Sequence, residues 1–186
     1  MSASAWRAPF EGTNLAVLAD CHIRDDGPQF PASLFPRLQG ADLIVTLGGM
    51  GEKSGLDRLE QIAPVLNVRG RDDVEDLRTR RSALLLEGEG YLIGCVYDAV
   101  EAGLSSSSDP FVESEDAAGV CNRILGGPVN ILLHASTHRS SEAPFGAKGA
   151  ALSPGSAVLP AEGSESSFLR LKVARQGCYG QIIRVA

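Results

Sequence analysis

A series of short apolar runs, each closed by a polar residue or a glycine, constrains the fold of this chain more than any other feature. Residues 14–19 (NLAVLA) end in Asp20, residues 42–47 (DLIVTL) in Gly48-Gly49, and residues 64–68 (PVLNV) in Arg69-Gly70. Continuous apolar runs of this length suit strands buried on both faces. Between them lie helical patterns. Leu56, Leu59 and Ile62 are spaced three apart on one helical face, with Ser54 placed to cap it, and 31–39 is a weaker helix interrupted by Pro36. Strand, helix, strand, helix predicts parallel βαβ units.

Further along, 82–87 and 91–97 read as a hairpin through Gly88-Glu89-Gly90, and 129–133 (VNILL) is another buried-type strand. Residues 101–110 read as a flexible loop. Val112, Ala117, Val120, Cys121, Ile124 and Leu125 fit one helix face that Gly126-Gly127-Pro128 ends. A short strand at 149–153 and two amphipathic strands at 167–174 and 178–185 complete the chain. Residues 1–13 read as a flexible arm and 14–186 as a single domain.

The net charge of −6 makes a nucleic-acid backbone or an anionic membrane a poor partner. The short cluster Arg78, Arg80, Arg81 suits a solvated turn. The four cysteines are far apart in sequence, so neighbours build neither a CxxC motif nor a zinc knuckle. No run reaches the ~20 apolar residues of a membrane span, and the first residues lack the apolar stretch of a signal peptide. A reducing cytoplasm with free thiols is the expectation.

In open α/β sheets, ligands bind beyond the carboxyl ends of the strands. The residues that fall there are Asp20-Cys21-His22, Gly48-Gly49, Gly70-Arg71-Asp72-Asp73, Tyr97-Asp98 and the stretch from His134 to Arg139. On an extended segment, Asp20 and His22 point to one side and together can hold a divalent metal, whereas Cys21 points into the sheet. A solvated loop is the plainer reading of so short a motif. Gly48, Gly49 and Gly51 offer backbone amides near Arg71 that could cradle an anion, although glycine clusters are more often plain turns.

Taken in order, these loops resemble the calcineurin-like metallophosphoesterase superfamily, in its small phosphodiesterase branch that also contains the retromer subunit of the same fold. The similarity runs from about residue 14 to 174. Asp20-Cys21-His22 matches the family's D-x-H, Gly48-Gly49 its G-D, Gly70-Arg71-Asp72-Asp73 its G-N-x-D, Tyr97 a strand-end His, and Ala135-Ser136-Thr137-His138-Arg139 its G-H-T-H-R. Ser153-Pro154-Gly155-Ser156 matches the following N-P-G-S turn. The resemblance implies an α/β fold: a β-sandwich of mixed sheets flanked by helices, in four αββα layers.

The resemblance also implies a two-metal phosphoesterase site, and the departures fall on one half of it. Gly49 stands where an Asp bridges the metals. Arg71, Tyr97 and Ser136 stand where the second metal's Asn and two His belong. Arg71 cannot ligate; it would pair with Asp20 or Asp72, or swing out into solvent. Asp20, His22 and His138 remain as ligands for one zinc, manganese or iron, or hydrogen-bond one another without any metal. Asp98, His134 and Glu52 could supply substitute ligands.

Two functions follow from the resemblance. One is a degenerate phosphodiesterase-fold module that binds or scaffolds an unknown protein partner. The other is a phosphoesterase with a single metal, with Arg71, Gly49, Asp72 and Ser136 around a small phosphate-containing ligand and Arg71 as its clamp. The apolar fraction is compatible with a homo-oligomer.

Overall fold

The computed structural model describes residues 5–10 and 12–185. Two mixed sheets pack face to face. The first sheet contains β2 (Asn14–Leu18), β3 (Leu43–Thr46), β4 (Val65–Asn67), β12 (Ser167–Ala174) and β13 (Gly177–Arg184), in the order β13-β12-β2-β3-β4. Strands β2, β3 and β4 run parallel, and β12 returns antiparallel to β2. The second sheet contains β1 (Trp6–Pro9), β5 (Ala83–Gly88), β6 (Tyr91–Val96), β9 (Ile131–Leu133), β10 (Ser140–Phe145) and β11 (Gly149–Pro154), in the order β1-β5-β6-β9-β11-β10.

Three apolar layers explain why the early runs are continuously hydrophobic. Leu15 and Val17 of β2 face the core between the sheets, with Val45, Leu84, Leu133 and Leu171. Their neighbours Ala16 and Leu18 face the other way, onto α1 (Leu34–Leu38) and α2 (Lys53–Glu60). Both faces are buried, so alternation disappears. Burying Leu56 and Leu59 of α2 against this face contributes on the order of 2 kcal/mol each. On the far face of the second sheet, α3 (Ala117–Ile124) and the hairpin of β7 (Ser105–Ser108) with β8 (Phe111–Glu113) form a third layer around Val96, Leu104, Val120 and Leu132. The expected αββα sandwich is what the chain forms.

Several local expectations change. The segment taken for a flexible arm contributes β1, which pairs in parallel with β5, because Ala8 and Phe10 both find a place in the core. Residues 1–4 of that arm lie outside the described residues. The expected loop over 101–110 carries β7. Val112 is in β8 rather than in the helix, which begins at Ala117. Helix α2 is capped by Glu52, not Ser54, whose hydroxyl donates instead to Asp25 at 2.7 Å. Pro36 sits within the first turn of α1, where its missing N–H has no intrahelical partner to lose. Among the described residues, no helix is long and apolar enough to cross a membrane.

Candidate metal centre

The loops that leave β2, β3, β4, β6, β9 and β11 meet at one end of the sandwich, stitched together by backbone bonds. Asp20 N–H donates to the Gly48 carbonyl at 3.0 Å, His22 N–H to that of Gly49 at 2.8 Å, and Ala135 N–H to that of Tyr97 at 2.8 Å. The Ser156 hydroxyl donates to the Asp20 carbonyl at 2.7 Å, which ties the Ser-Pro-Gly-Ser turn to the first loop. Ser153 bonds the Arg139 carbonyl at 2.8 Å and ties the same turn to the His138 loop.

These loops are not extended. Asp20, His22, Ser136 and His138 all have positive φ, between 47° and 74°, and the fifth such non-glycine residue among those described, Glu89, merely turns the β5–β6 hairpin. Left-handed backbone disfavours side chains with a Cβ and concentrates at functional sites. The expectation that simple alternation aligns Asp20 with His22 is therefore corrected: two left-handed residues aim them. Cys21 does point away, fully buried among the residues packed under α1 and α2, and burial holds its thiol well above the usual range.

The outcome is a convergence of donor atoms. One ligand atom from each of Asp20, His22 and His138 lies within 4.8 Å of the others. The two imidazoles stack at 5.1 Å with planes 2° apart. His138 Nδ1 sits 2.6 Å from the Leu159 carbonyl. A carbonyl only accepts, so Nδ1 carries the proton and Nε2 presents a lone pair. The Leu159 amide is in turn held by Ser156 at 2.8 Å. His22 Nδ1 faces Asp72 at 3.5 Å, which turns its Nε2 outward in the same way. An outer partner on Nδ1 is how metal-binding histidines are commonly oriented.

Asp20 is 1% exposed. Its Oδ2 accepts the amides of Ser136 at 3.0 Å and His138 at 3.4 Å, while its Oδ1 has no partner. Burial pushes its pKa up, and the two imidazoles and two amides only partly offset this. A buried carboxylate oxygen without a partner is costly. A cation would supply that partner, and one carboxylate with two imidazoles suits zinc, manganese or iron. The residues present fit one metal.

They do not fit a second. A Cβ on Gly49 would lie 2.9 Å from Asp20 Oδ1 and 3.0 Å from its Cα. Gly70 packs so closely that a Cβ there would meet the Gly49 nitrogen at 2.1 Å, and the Tyr97 ring lies against Gly48. Backbone and a phenol therefore crowd the place where a ligand side chain at 49 would stand. Arg71 neither fills it nor pairs with Asp20 or Asp72. It is 71% exposed and bonds Glu101 at 3.2 Å.

The substitute ligands proposed from sequence do not join the cluster. Asp98 caps its own turn through the amides of Val100 and Glu101. Glu52 occupies the N-cap position of α2 without a side-chain capping bond, its carboxyl pKa raised by a hydrogen bond with Asp25. His134 points to the opposite face of its sheet, its ring 5.0 Å from Phe111. Of the glycine amides read as an anion cradle, that of Gly51 is taken by an internal carboxylate. Asp73, 7% exposed, accepts the amides of Met50 at 2.6 Å, Gly51 at 3.3 Å and Gly70 at 2.7 Å.

Buried His134 gives a pH prediction. Burial lowers its pKa to about 4, with Nε2 left without a partner. The unfolded chain therefore binds more protons than the folded one between about pH 6.5 and 4. Its stabilising contribution is present above that window and lost as pH falls through it, by roughly 2–3 kcal/mol. Denaturant unfolding at pH 7 and 4.5 should show this loss, and His134→Leu should reduce it; an equal loss in the variant would place the effect elsewhere.

Comparison with known proteins agrees with this geometry. No family model matches the sequence. The chain is 29% identical over 86 residues to a probable metallophosphoesterase of Methanocaldococcus jannaschii, covering 46% of this chain and 43% of that protein. It is 31% identical over 87 residues to one of Methanothermobacter thermautotrophicus, covering 46% and 50%. The matches thus span half or less of these relatives. Among solved structures, Vps29 of Chaetomium thermophilum superposes with a TM-score of 0.69 at 19% identity, over 94% of this chain and 100% of that one. Zinc-complexed Vps29 of Entamoeba histolytica gives 0.67 at 19%, over 93% and 99%. A predicted phosphoesterase of Streptococcus pneumoniae gives 0.62 at 16%, over 92% and 89%.

Proposed function

We propose that this chain, a member of the metallophosphoesterase superfamily with the fold of its small Vps29-like branch, holds one divalent cation at Asp20, His22 and His138 and binds a phosphoester beside it. The observation that carries the reading is the unpartnered Asp20 Oδ1 facing two oriented imidazoles. When bound, the cation supplies Lewis-acid polarisation of a phosphoryl oxygen.

The chain's own residues do the rest. Burial of Asp20 keeps water from its ligating oxygen. Leu159 and Asp72 fix the two rings. The partly exposed histidines leave the centre open to solvent. Arg71, tied to Glu101 in this structure, would have to exchange that partner to clamp a phosphate, as guanidinium groups do bidentately.

The packed Gly48-Gly49-Gly70 backbone favours a second reading, a binding or scaffold module without turnover. Purified protein incubated with zinc or manganese should bind one equivalent by elemental analysis, and His138→Ala should bind none. Hydrolysis of bis-p-nitrophenyl phosphate then separates the readings. Metal-dependent turnover lost in His138→Ala supports the enzyme, and one bound metal without turnover supports the module. Two tightly bound metals would defeat the mononuclear centre.

A further inference from the structure

A cleft of about 360 Å³ opens beside the metal centre and is not needed to hold the cation. Its volume lies in the range of small-molecule sites. Its walls are apolar: Ala83 and Val96 from the hairpin strands, Ala102, Ile124 at the end of α3, and Tyr97. Its rim is of mixed charge, with Arg69 and Arg71 beside Asp98 and Glu101. Arg71 is bound to Glu101, but the Arg69 side chain forms no ion pair among the described residues.

The cleft and the metal centre share structure. Gly70 and Tyr97 line the cleft, while Gly70 packs on Gly49 and the Tyr97 ring on Gly48, the glycines that bond Asp20 and His22. The phenol at 97, packed on Gly48, gives the cleft an aromatic wall.

We infer that this cleft receives the organic group of a phosphoester, an apolar moiety of one or two rings, whose phosphoryl end faces Asp20, His22 and His138. The inference rests on the single-metal reading and names its ligand class: an aryl or similarly flat phosphoester rather than inorganic phosphate or a small alkyl ester. An apolar ring leaves water for Val96, Ile124 and the face of Tyr97, which favours it by area burial. Arg69 stands at the rim for the ligand's negative charge.

The test uses two non-hydrolysable probes of like charge, phenylphosphonate and methylphosphonate, titrated into zinc-loaded protein while methyl NMR signals are followed. Phenylphosphonate is expected to bind about tenfold more tightly and to shift the methyls of Ala102 and Ile124. Ala102→Phe, which fills the cleft, should bring the affinity ratio of the two probes close to one, and Arg69→Gln, on the exposed rim, should weaken phenylphosphonate severalfold. Equal affinities in the wild type, or unmoved cleft methyls, would overturn the proposal. If zinc itself does not bind, the metal reading fails, and the cleft is then judged on metal-free protein by whether phenylphosphonate alone shifts the same methyls; silence there also overturns it.

Discussion

Asp20→Asn is expected to weaken zinc or manganese binding at least a hundredfold while raising the melting temperature of the metal-free protein by about 2–4 °C. The opposite signs come from one atom. Asp20 Oδ1 is buried without a partner, so in the absence of a cation the carboxylate is a cost. Asparagine keeps an oxygen for the amides of Ser136 and His138, and places a neutral amide where the charged oxygen was.

The pH dependence follows from the raised pKa of Asp20, whose main cause is burial. Above its unfolded value of 3.8, the folded metal-free protein holds this proton more tightly than the unfolded chain. Its contribution is fully present below that value and is lost as pH rises through the folded pKa. The advantage of Asp20→Asn should therefore be larger at pH 7 than at pH 4. Chemical denaturation at the two pH values, with chelator present, reads it directly. A variant less stable than wild type at pH 7 would mean that Oδ1 is satisfied in solution, and the argument for a cation there would lose its main support.

Asp73→Ala is expected to destabilise the protein by about 3–4 kcal/mol, a fall in melting temperature of roughly 10 °C. The carboxylate takes three amides from two loops, those after β3 and β4, and without it these buried donors lose their partner. Asp73→Asn retains one acceptor oxygen and should fall between. Its neighbour Asp72 is 63% exposed and its ion pair is with His22, so Asp72→Ala should leave the stability within about 0.5 kcal/mol of wild type. Equal effects at 72 and 73 would refute the division of labour inside this dipeptide.

That division was not legible in the sequence, where Gly-Arg-Asp-Asp offers two like carboxylates. What was legible were the runs that bury both faces of a strand, hence β2, β3, β4, β9 and the β5–β6 hairpin, and the Asp-x-His and Ser-Thr-His-Arg loops at their ends. Edge elements were harder. β10 reads Ser-Ser-Glu-Ala-Pro-Phe and alternates between exposed and partly buried residues, as an outer strand can, yet Pro144 argues against a strand. β7 is four serines whose strand depends on the β8 partner and on the Ser105 hydroxyl bonding Val112.

In the site, the residue types were readable but their anchors were not. The group that orients His138 is the backbone carbonyl of Leu159, and carbonyls carry no signature in sequence. Arg71 was read against Asp20 and Asp72, carboxylates of the expected site, whereas its partner is Glu101, which the fold brings near from 30 positions away.

The tight contact among Gly48, Gly49 and Gly70 bears on what substitution can do at this site. Where loops merely lack a ligand, one substitution can return it. Here the backbone itself occupies the space a side chain would need. A Cβ at position 49 would lie 2.9 Å from Asp20 Oδ1 on a backbone with φ of 63°, and Gly70 packs so tightly on the same loop that a Cβ there would lie 2.1 Å from the Gly49 nitrogen. A variant that adds a carboxylate at position 49 alone is therefore expected to be less stable than the parent chain. A carboxylate ligand at this position would need compensating change in the loop after β4 as well as in the loop after β3.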